Sequence, residues 1–241
     1  MGLGNTCLIV GASGEIGAAI ALKLAADGYN LILHYNKNED AVLQLKNKIG
    51  SRQITGIICA DLSQPEGTED FLSQLHHDID QLVFASGSSL YGLMQDLTNE
   101  EMDSLFHLHV KSVWQLTQHV LPAMISRKKG QFVLITSIWG EVGASYEVAY
   151  STVKGAQNSF VKALSKEVGP SGIRVNGVSP GYIETKMNQH LTDAERMDLV
   201  SEISLQKSGF PEDIAEAVSF LISKRAQYIT GEILRVNGGW I

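Results

Sequence analysis

Thr6-Cys-Leu-Ile-Val10-Gly11-Ala-Ser-Gly14-Glu-Ile-Gly17, running directly into the amphipathic stretch Ala18 to Asp27, reads as strand, tight loop and helix. The run before Gly11 is short and, after Thr6, apolar, as a strand covered on both faces must be. Glycines at 11, 14 and 17 let the backbone turn sharply and approach a ligand closely. The helix start beyond them offers unpaired amides and the positive end of a dipole, which together suit a pyrophosphate. Read alone, such a loop is also an ordinary βα turn, so the rest of the chain decides.

The same unit recurs outward from this stretch. Apolar runs fall at Thr6 to Val10, Leu31 to Tyr35, Ile54 to Ala60, Leu82 to Ala85, Phe132 to Thr136, Arg174 to Ser179 and Ile233 to Val236, with longer amphipathic stretches between them. Strands alternating with helices predict an α/β Rossmann fold: a doubly wound parallel sheet of about seven strands flanked by helices. Gly28 and Gly172 suit helix ends, and Pro65 and Pro211 suit first helical turns. Thr98-Asn-Glu-Glu101 and Thr192-Asp-Ala-Glu195 are capping boxes. No linker, low-complexity tract or repeat breaks the pattern, so 1–241 is expected to be a single domain.

Composition narrows the function. The 241 residues carry 19 Lys+Arg against 26 Asp+Glu, a formal charge of −7, with 44% hydrophobic residues. That is enough apolar material for a core, and the acidic balance speaks against nucleic acid as the main partner. No apolar run reaches the length of a membrane span and the N-terminus lacks the signature of a signal peptide, so the chain reads as soluble and cytoplasmic. Cys7 and Cys59 both fall in apolar runs and are expected to be buried, reduced thiols. His107, His109 and His119 do not converge at helical spacing, so no metal is expected.

The segment after the second strand discriminates between nicotinamide dinucleotides. A carboxylate there would bind the ribose hydroxyls of NAD and repel the extra phosphate of NADP. His34-Tyr35-Asn36-Lys37-Asn38 has none, so NADP(H) is favoured over NAD(H), with Lys37 as the phosphate partner. Asp61, followed by Leu62, closes the third strand, where it can accept a bond from an adenine amino group or simply form a turn.

The chemistry concentrates in Tyr150-Ser-Thr-Val-Lys154, with Ser137 upstream in Ile135-Thr-Ser137-Ile. Positions four apart share a helix face, so the phenol and the ammonium can address one molecule. A nearby ammonium, with the positive nicotinamide of an oxidised cofactor, favours phenolate and is expected to lower the tyrosine pKa, making an acid–base group. Ser137, at the end of a parallel strand, can donate a hydrogen bond to a carbonyl oxygen as hydride reaches its carbon.

On these residues, and on Arg174-Val-Asn-Gly-Val-Ser-Pro180-Gly181-Tyr-Ile183-Glu-Thr185, the chain resembles the one-domain short-chain dehydrogenase/reductase family over nearly its whole length. The resemblance implies that Ser137 holds the carbonyl, Tyr150 exchanges the proton and Lys154 binds the nicotinamide ribose. The expected cofactor set is Gly11, Ser13, Gly14, Ile16 and Gly17 in the loop, then Tyr35, Asn36, Lys37, Asp61, Leu62, Ala85, Ser86 and Gly87 along the adenosine. Tyr150 and Lys154 join it with Pro180, Gly181, Ile183 and Thr185 at the nicotinamide, under a substrate lid from about 186 to 209. Homotetramers built on the helices near Glu100 to Ser126 and Glu147 to Glu167 are also implied.

Three positions depart from the family pattern. Glu15 stands where a glycine is usual, setting a carboxylate near the pyrophosphate. Phe84-Ala-Ser-Gly87 replaces Asn-Asn-Ala-Gly. His109 occupies the position of the catalytic asparagine, which supplies chiefly a backbone carbonyl holding a relay water; a histidine keeps that carbonyl, and its imidazole is a candidate to join the relay.

By resemblance to the bacterial 3-oxoacyl-[acyl-carrier-protein] reductases, the default substrate is a β-ketoacyl thioester on acyl carrier protein. Arg127-Lys128-Lys129 is then a candidate docking patch, although Ser171 replaces a docking arginine. Glu141 and Glu147, between the catalytic serine and tyrosine, would instead attract an ammonium. That segment is similar to reductases of an aminoketone carried on elongation factor P. A non-catalytic dinucleotide sensor is the reading from another class, and such a protein has no need of Ser137, Tyr150 and Lys154 together.

Overall fold

The computed structural model describes residues 5–188 and 192–241. The chain alternates through β1 (Thr6–Val10), α1 (Glu15–Ala26), β2 (Asn30–Tyr35), α2 (Glu39–Ile49), β3 (Ile54–Cys59), α3 (Pro65–Gln74) and β4 (Gln81–Phe84). It continues through α4 (Asn99–Phe106), α5 (Ser112–Arg127), β5 (Gly130–Ile135), α6 (Trp139–Val142), α7 (Val148–Val168) and β6 (Ile173–Pro180). α8 (Asp193–Glu202), α9 (Pro211–Ile222) and β7 (Ile233–Val236) complete it. The strands form one parallel sheet in the order β3-β2-β1-β4-β5-β6-β7.

Period-two alternation explains why the strand sequences are apolar at nearly every position. Cys7, Ile9, Leu31, Leu33, Val133 and Ile135 point to one face, packing with α1 and α9 residues such as Ile20, Leu24, Val218 and Leu221. Leu8, Val10, Ile32, Leu82, Phe132 and Leu134 point to the other, against Phe71, Leu116 and Val161 from α3, α5 and α7. The order reverses between β1 and β4, and the crevice outside the carboxyl ends of those strands is where such sheets take ligands.

The caps expected from the sequence form. Thr98 and Thr192 each accept from the backbone of the glutamate three residues on, which reaches back to the threonine amide. Pro65 and Pro211 start α3 and α9, and Gly28 takes a φ of +89° just past α1.

Two expectations are corrected. Glu100 to Ser126 is not one regular helix: a π turn over His107–Lys111 separates α4 from α5. Cys7 is fully buried, with a thiol pKa pushed up by burial, but Cys59 is exposed because β3 is the sheet edge. The proposed lid, 186 to 209, includes 189–191, which lie outside the described residues. Among the described residues no helix is long and apolar enough to cross a membrane.

Candidate active site

Two adjoining cavities at the carboxyl ends of the strands form one cleft, sharing Ala85, Ser86 and Gly87 as their common wall. The first, about 380 Å³, is lined by Gly11, Ser13, Gly14, Asn36, Lys37, Asp61 and Leu62. Two glycines make the loop what it is. Gly11 has a φ of +87° and sits so close to the segment after β4 that a Cβ would come within 2.5 Å of the Ser86 backbone. A Cβ on Gly17 would lie 2.1 Å from the Gly11 carbonyl, so Gly17 shapes the loop from behind and does not line the cleft.

Tyr35 also lies away from the cleft, buried in the core. The residue before it, His34, lines the cavity instead. Its Nδ1 accepts from the Gly11 amide at 3.1 Å and its Nε2 donates to the Ala60 carbonyl at 3.0 Å. These two bonds fix the tautomer and pin the glycine loop to β2 and the end of β3. Burial lowers the His34 pKa to about 4, which keeps the ring neutral and able to accept. The sequence signal was a lone polar residue in an apolar strand.

Asp61 faces the same cavity while accepting from the Ser63 amide and hydroxyl at 3.0 and 2.7 Å, so it is also the turn former. Partial burial works to raise its pKa, but the bonds from Ser63 and Asn36 and the charge of Lys37 outweigh it and hold the carboxyl below its ordinary value. Glu15, expected near the pyrophosphate, accepts from the Lys186 amide at 2.6 Å, at the start of the proposed lid.

The second cavity is lined by Ile16, Ser137, Tyr150, Lys154, Pro180, Gly181, Ile183 and Thr185, so the sheet brings together residues spread over much of the chain. Ser137 lies two residues beyond β5, and α7 carries Tyr150 and Lys154 one turn apart on a single face. Gly140 sets the distance between these segments: a Cβ there would come within 2.6 Å of the Lys154 backbone. The Ser137 hydroxyl shares the cavity wall with the Tyr150 phenol and accepts from the Trp139 amide at 3.2 Å. The Lys154 ammonium lies 5.5 Å from the centre of the tyrosine ring and donates to the Ile135 carbonyl at 2.9 Å and to Gln157 at 3.2 Å.

The protein's own groups set the electrostatics of the site. Burial, then the Glu147 carboxylate, raise the Tyr150 pKa above its ordinary value, against a smaller opposing pull from Ser137. Burial brings Lys154 down to about 7, so the ammonium expected to stabilise phenolate is itself only partly charged at neutral pH.

His109 lies in the π turn with its ring edge-on to Tyr150, 5.7 Å between centroids. The imidazole does not bond to Tyr150 or Lys154; its Nε2 is 3.0 Å from the Ser88 carbonyl, and complete burial holds its pKa far below the ordinary value. The His109 carbonyl accepts from Gln157 at 2.8 Å. Gln157, buried and three residues beyond Lys154, was missed in the sequence, where a glutamine inside a helix carries no motif.

Two charge expectations change. Glu141 is bound to Arg235 at 2.6 and 2.8 Å and to Ser179 at 2.8 Å, and its charge is compensated. Glu147 alone of that pair is buried in the cavity wall beside Tyr150. Of the basic run, Arg127 pairs with Asp78 and Lys129 with Asp80. The run also precedes β5, at the opposite end of a six-residue strand from Ser137, roughly 20 Å away.

Comparison with known proteins agrees with this geometry. A family model described as enoyl-(acyl carrier protein) reductase matches residues 11–241. An uncharacterized oxidoreductase, YmfI, of Bacillus subtilis is 48% identical, with 99% of each chain covered. A 3-oxoacyl-[acyl-carrier-protein] reductase, FabG, of Escherichia coli is 33% identical over 98% of this chain and 97% of its own. A solved structure of a blue fluorescent protein from a metagenomic library in complex with NADPH superimposes with a TM-score of 0.90, at 28% identity and 98% coverage of both chains.

Proposed function

The chain belongs to the short-chain dehydrogenase/reductase family of oxidoreductases, and we propose that within it this protein reduces a ketone to a secondary alcohol using NADPH. One observation carries the reading: a serine hydroxyl and a tyrosine phenol line one end of a cleft together with a buried lysine, and the glycine-loop cradle adjoins it. Two hydrogen-bonding groups meeting at one point suit a carbonyl oxygen, which develops charge during reduction, better than a carbon–carbon double bond.

The residues fit a nicotinamide dinucleotide. The cradle exists only because Gly11 lacks a Cβ, and Lys154 is a buried amine whose two protein partners are neutral oxygens, leaving, when protonated, a donor for a ribose hydroxyl. Gly11, Ser13 and Gly14 would hold the pyrophosphate, Asp61 and Leu62 the adenine, and Asn36 with Lys37 the 2′-phosphate. Pro180, Gly181, Ile183 and Thr185 would flank the nicotinamide. The bound cofactor supplies the hydride.

Ser137 donates a hydrogen bond to the ketone oxygen and fixes its position. Tyr150 delivers the proton to that oxygen; its phenol is protonated at neutral pH, and its raised pKa makes the release depend on a positive charge beside it. Lys154, positive when protonated, stabilises the phenolate left behind. The NADPH bound by the metagenomic structural neighbour supports the cofactor assignment, as does Lys37 where NAD-binding chains place a carboxylate.

The thioester reading rests on the FabG-type relative; two residues of its basic docking run, Arg127 and Lys129, are paired, and the run is distant from the site. A second reading, a ketone bearing an ammonium such as the aminoketone on elongation factor P, is favoured by Glu147, a carboxylate buried in the cavity wall. Exposed Phe106, Trp114, Ile125 and Val148 on α4, α5 and α7 support assembly through those helices, which a mass measurement in solution tests against a 26.2 kDa monomer. The deciding experiment follows NADPH, and separately NADH, consumption with a β-ketoacyl thioester and with a short aminoketone. Turnover of either with NADPH supports the reductase. Preference for the aminoketone that collapses in Glu147→Gln selects the second substrate. Cofactor binding without turnover of any ketone leaves the sensor.

A further inference from the structure

Lys154 is held in an unusual way. Its ammonium is buried, 3% exposed, and among the described residues its bonded partners are two neutral oxygens, the Ile135 carbonyl and the Gln157 side-chain carbonyl. Gln157 is itself 4% exposed and passes the connection on, its Nε2 donating to the His109 carbonyl inside the π turn. The orientation of this amide follows from chemistry: an ammonium only donates and a carbonyl only accepts, so the flipped amide would face donor to donor and acceptor to acceptor.

One amide therefore ties three pieces of the molecule together: β5 through Lys154, α7 on which both residues sit, and the π turn between α4 and α5. The same turn sets the His109 ring against the edge of Tyr150. π turns commonly mark functional positions in helices, because they displace carbonyls from the regular ladder. The His109 carbonyl, expected from the sequence to hold a water, has one of its two lone pairs taken by this side chain.

We propose that Gln157 is the positioning residue for Lys154, fixing the ammonium beneath Tyr150 and stabilising its protonated state through the bridge to the His109 carbonyl. Burial already brings Lys154 to about 7, so the loss or gain of one favourable partner decides its charge at physiological pH. The titratable groups around it are Tyr150 on its own helix and His109 from the π turn, with Glu147 acting on Tyr150. β5 contributes only a backbone oxygen, and the segment after β4 contributes Gly87.

The inference rests on the reductase reading only where it concerns rate, so its main test is independent of any substrate. Full-length protein with isotopically labelled lysine is titrated by NMR, the Lys154 resonance being assigned by its loss in Lys154→Met. Gln157→Leu removes the acceptor, and the Lys154 titration moves to lower pH by about one unit, a tenfold change. Gln157→Glu, nearly identical in shape, sets a carboxylate beside the ammonium and moves the titration to higher pH. A side chain that merely filled space would not produce shifts of opposite sign.

In ketone reduction, the alkaline limb of the kcat profile follows the same two directions, and Gln157→Leu lowers kcat about tenfold while Gln157→Glu retains more of it. Identical Lys154 titration in wild type and both variants, or shifts of the same sign, overturns the proposal even if ketones are reduced. Opposite shifts without reduction of any ketone leave Gln157 in place and dismiss the reductase. Should Gln157→Leu fail to fold, an unshifted titration in Gln157→Glu is still sufficient to overturn it.

Discussion

Lys37 and Lys154 stand at opposite ends of one cleft and show how the fold makes different reagents from the same side chain. Lys37 is exposed on the loop after β2, where a charge is solvated and acts by attraction on whatever arrives. Lys154 is buried beneath the cleft, where losing water lowers its pKa to about 7 and makes its charge depend on its partners. In the proposed function the Lys37 end selects by charge, and the Lys154 end works by burial. The same contrast separates Asp61, held below its ordinary pKa by hydrogen bonds, from Tyr150, raised mainly by desolvation.

The sharpest break of this contrast is at the buried end. Tyr150→Phe is expected to cost between about 100- and 10,000-fold in kcat, the range for a positioned acid, with NADPH affinity retained. Single-turnover oxidation of NADPH with a ketone checks it, and a loss under tenfold removes Tyr150 as the proton donor.

Next in size is the pH dependence of stability that His34 imposes. Its folded pKa of about 4 lies below the unfolded value of roughly 6.5, so as pH falls the unfolded chain takes up the proton first. Its contribution is intact above pH 6.5 and is lost progressively toward pH 4, by up to about 3 kcal/mol. Urea unfolding of wild type and His34→Gln at pH 7 and pH 5 tests this; the variant should lose less stability between the two.

The solvated end should respond more mildly. Lys37→Ala is expected to raise KM for NADPH about tenfold, one charge-assisted bond to phosphate, while KM for NADH changes little. Equal effects on both cofactors would show that Lys37 does not read the phosphate. Smallest is Glu15→Gln, which keeps an acceptor for the Lys186 amide while removing a charge from the cofactor end. A rise of less than threefold in NADPH affinity is expected, of the size of an exposed charge interaction. Isothermal titration at two salt concentrations measures it, the gain shrinking at high salt.

Much of this was legible beforehand because it depends on local pattern. Seven apolar runs of strand length gave strand positions correct to within two residues, since a strand covered on both faces has no room for polar side chains. Tyr150 and Lys154 could be paired because a helix places positions four apart on one face, and Gly11 because tight turns need glycine. What escaped depends on contacts between distant segments. Glu141 looked like a pocket carboxylate until Arg235, ninety-four positions on, was brought beside it. Arg127 and Lys129 looked like free docking charge until Asp78 and Asp80 were found at the same sheet end. Cys59 looked buried because its run is apolar, and only the strand order made β3 an edge.

The sequence by itself determined the layered sheet, the glycine cradle and the serine, tyrosine and lysine, because periodicity and local backbone geometry are properties of neighbouring residues. Only the tertiary structure decided that His34 pins the loop, that Glu147 stays in the pocket wall while Glu141 is compensated, and that Gln157 holds Lys154. Those outcomes turn on desolvation and on partners far away in the chain, and neither can be computed from spacing.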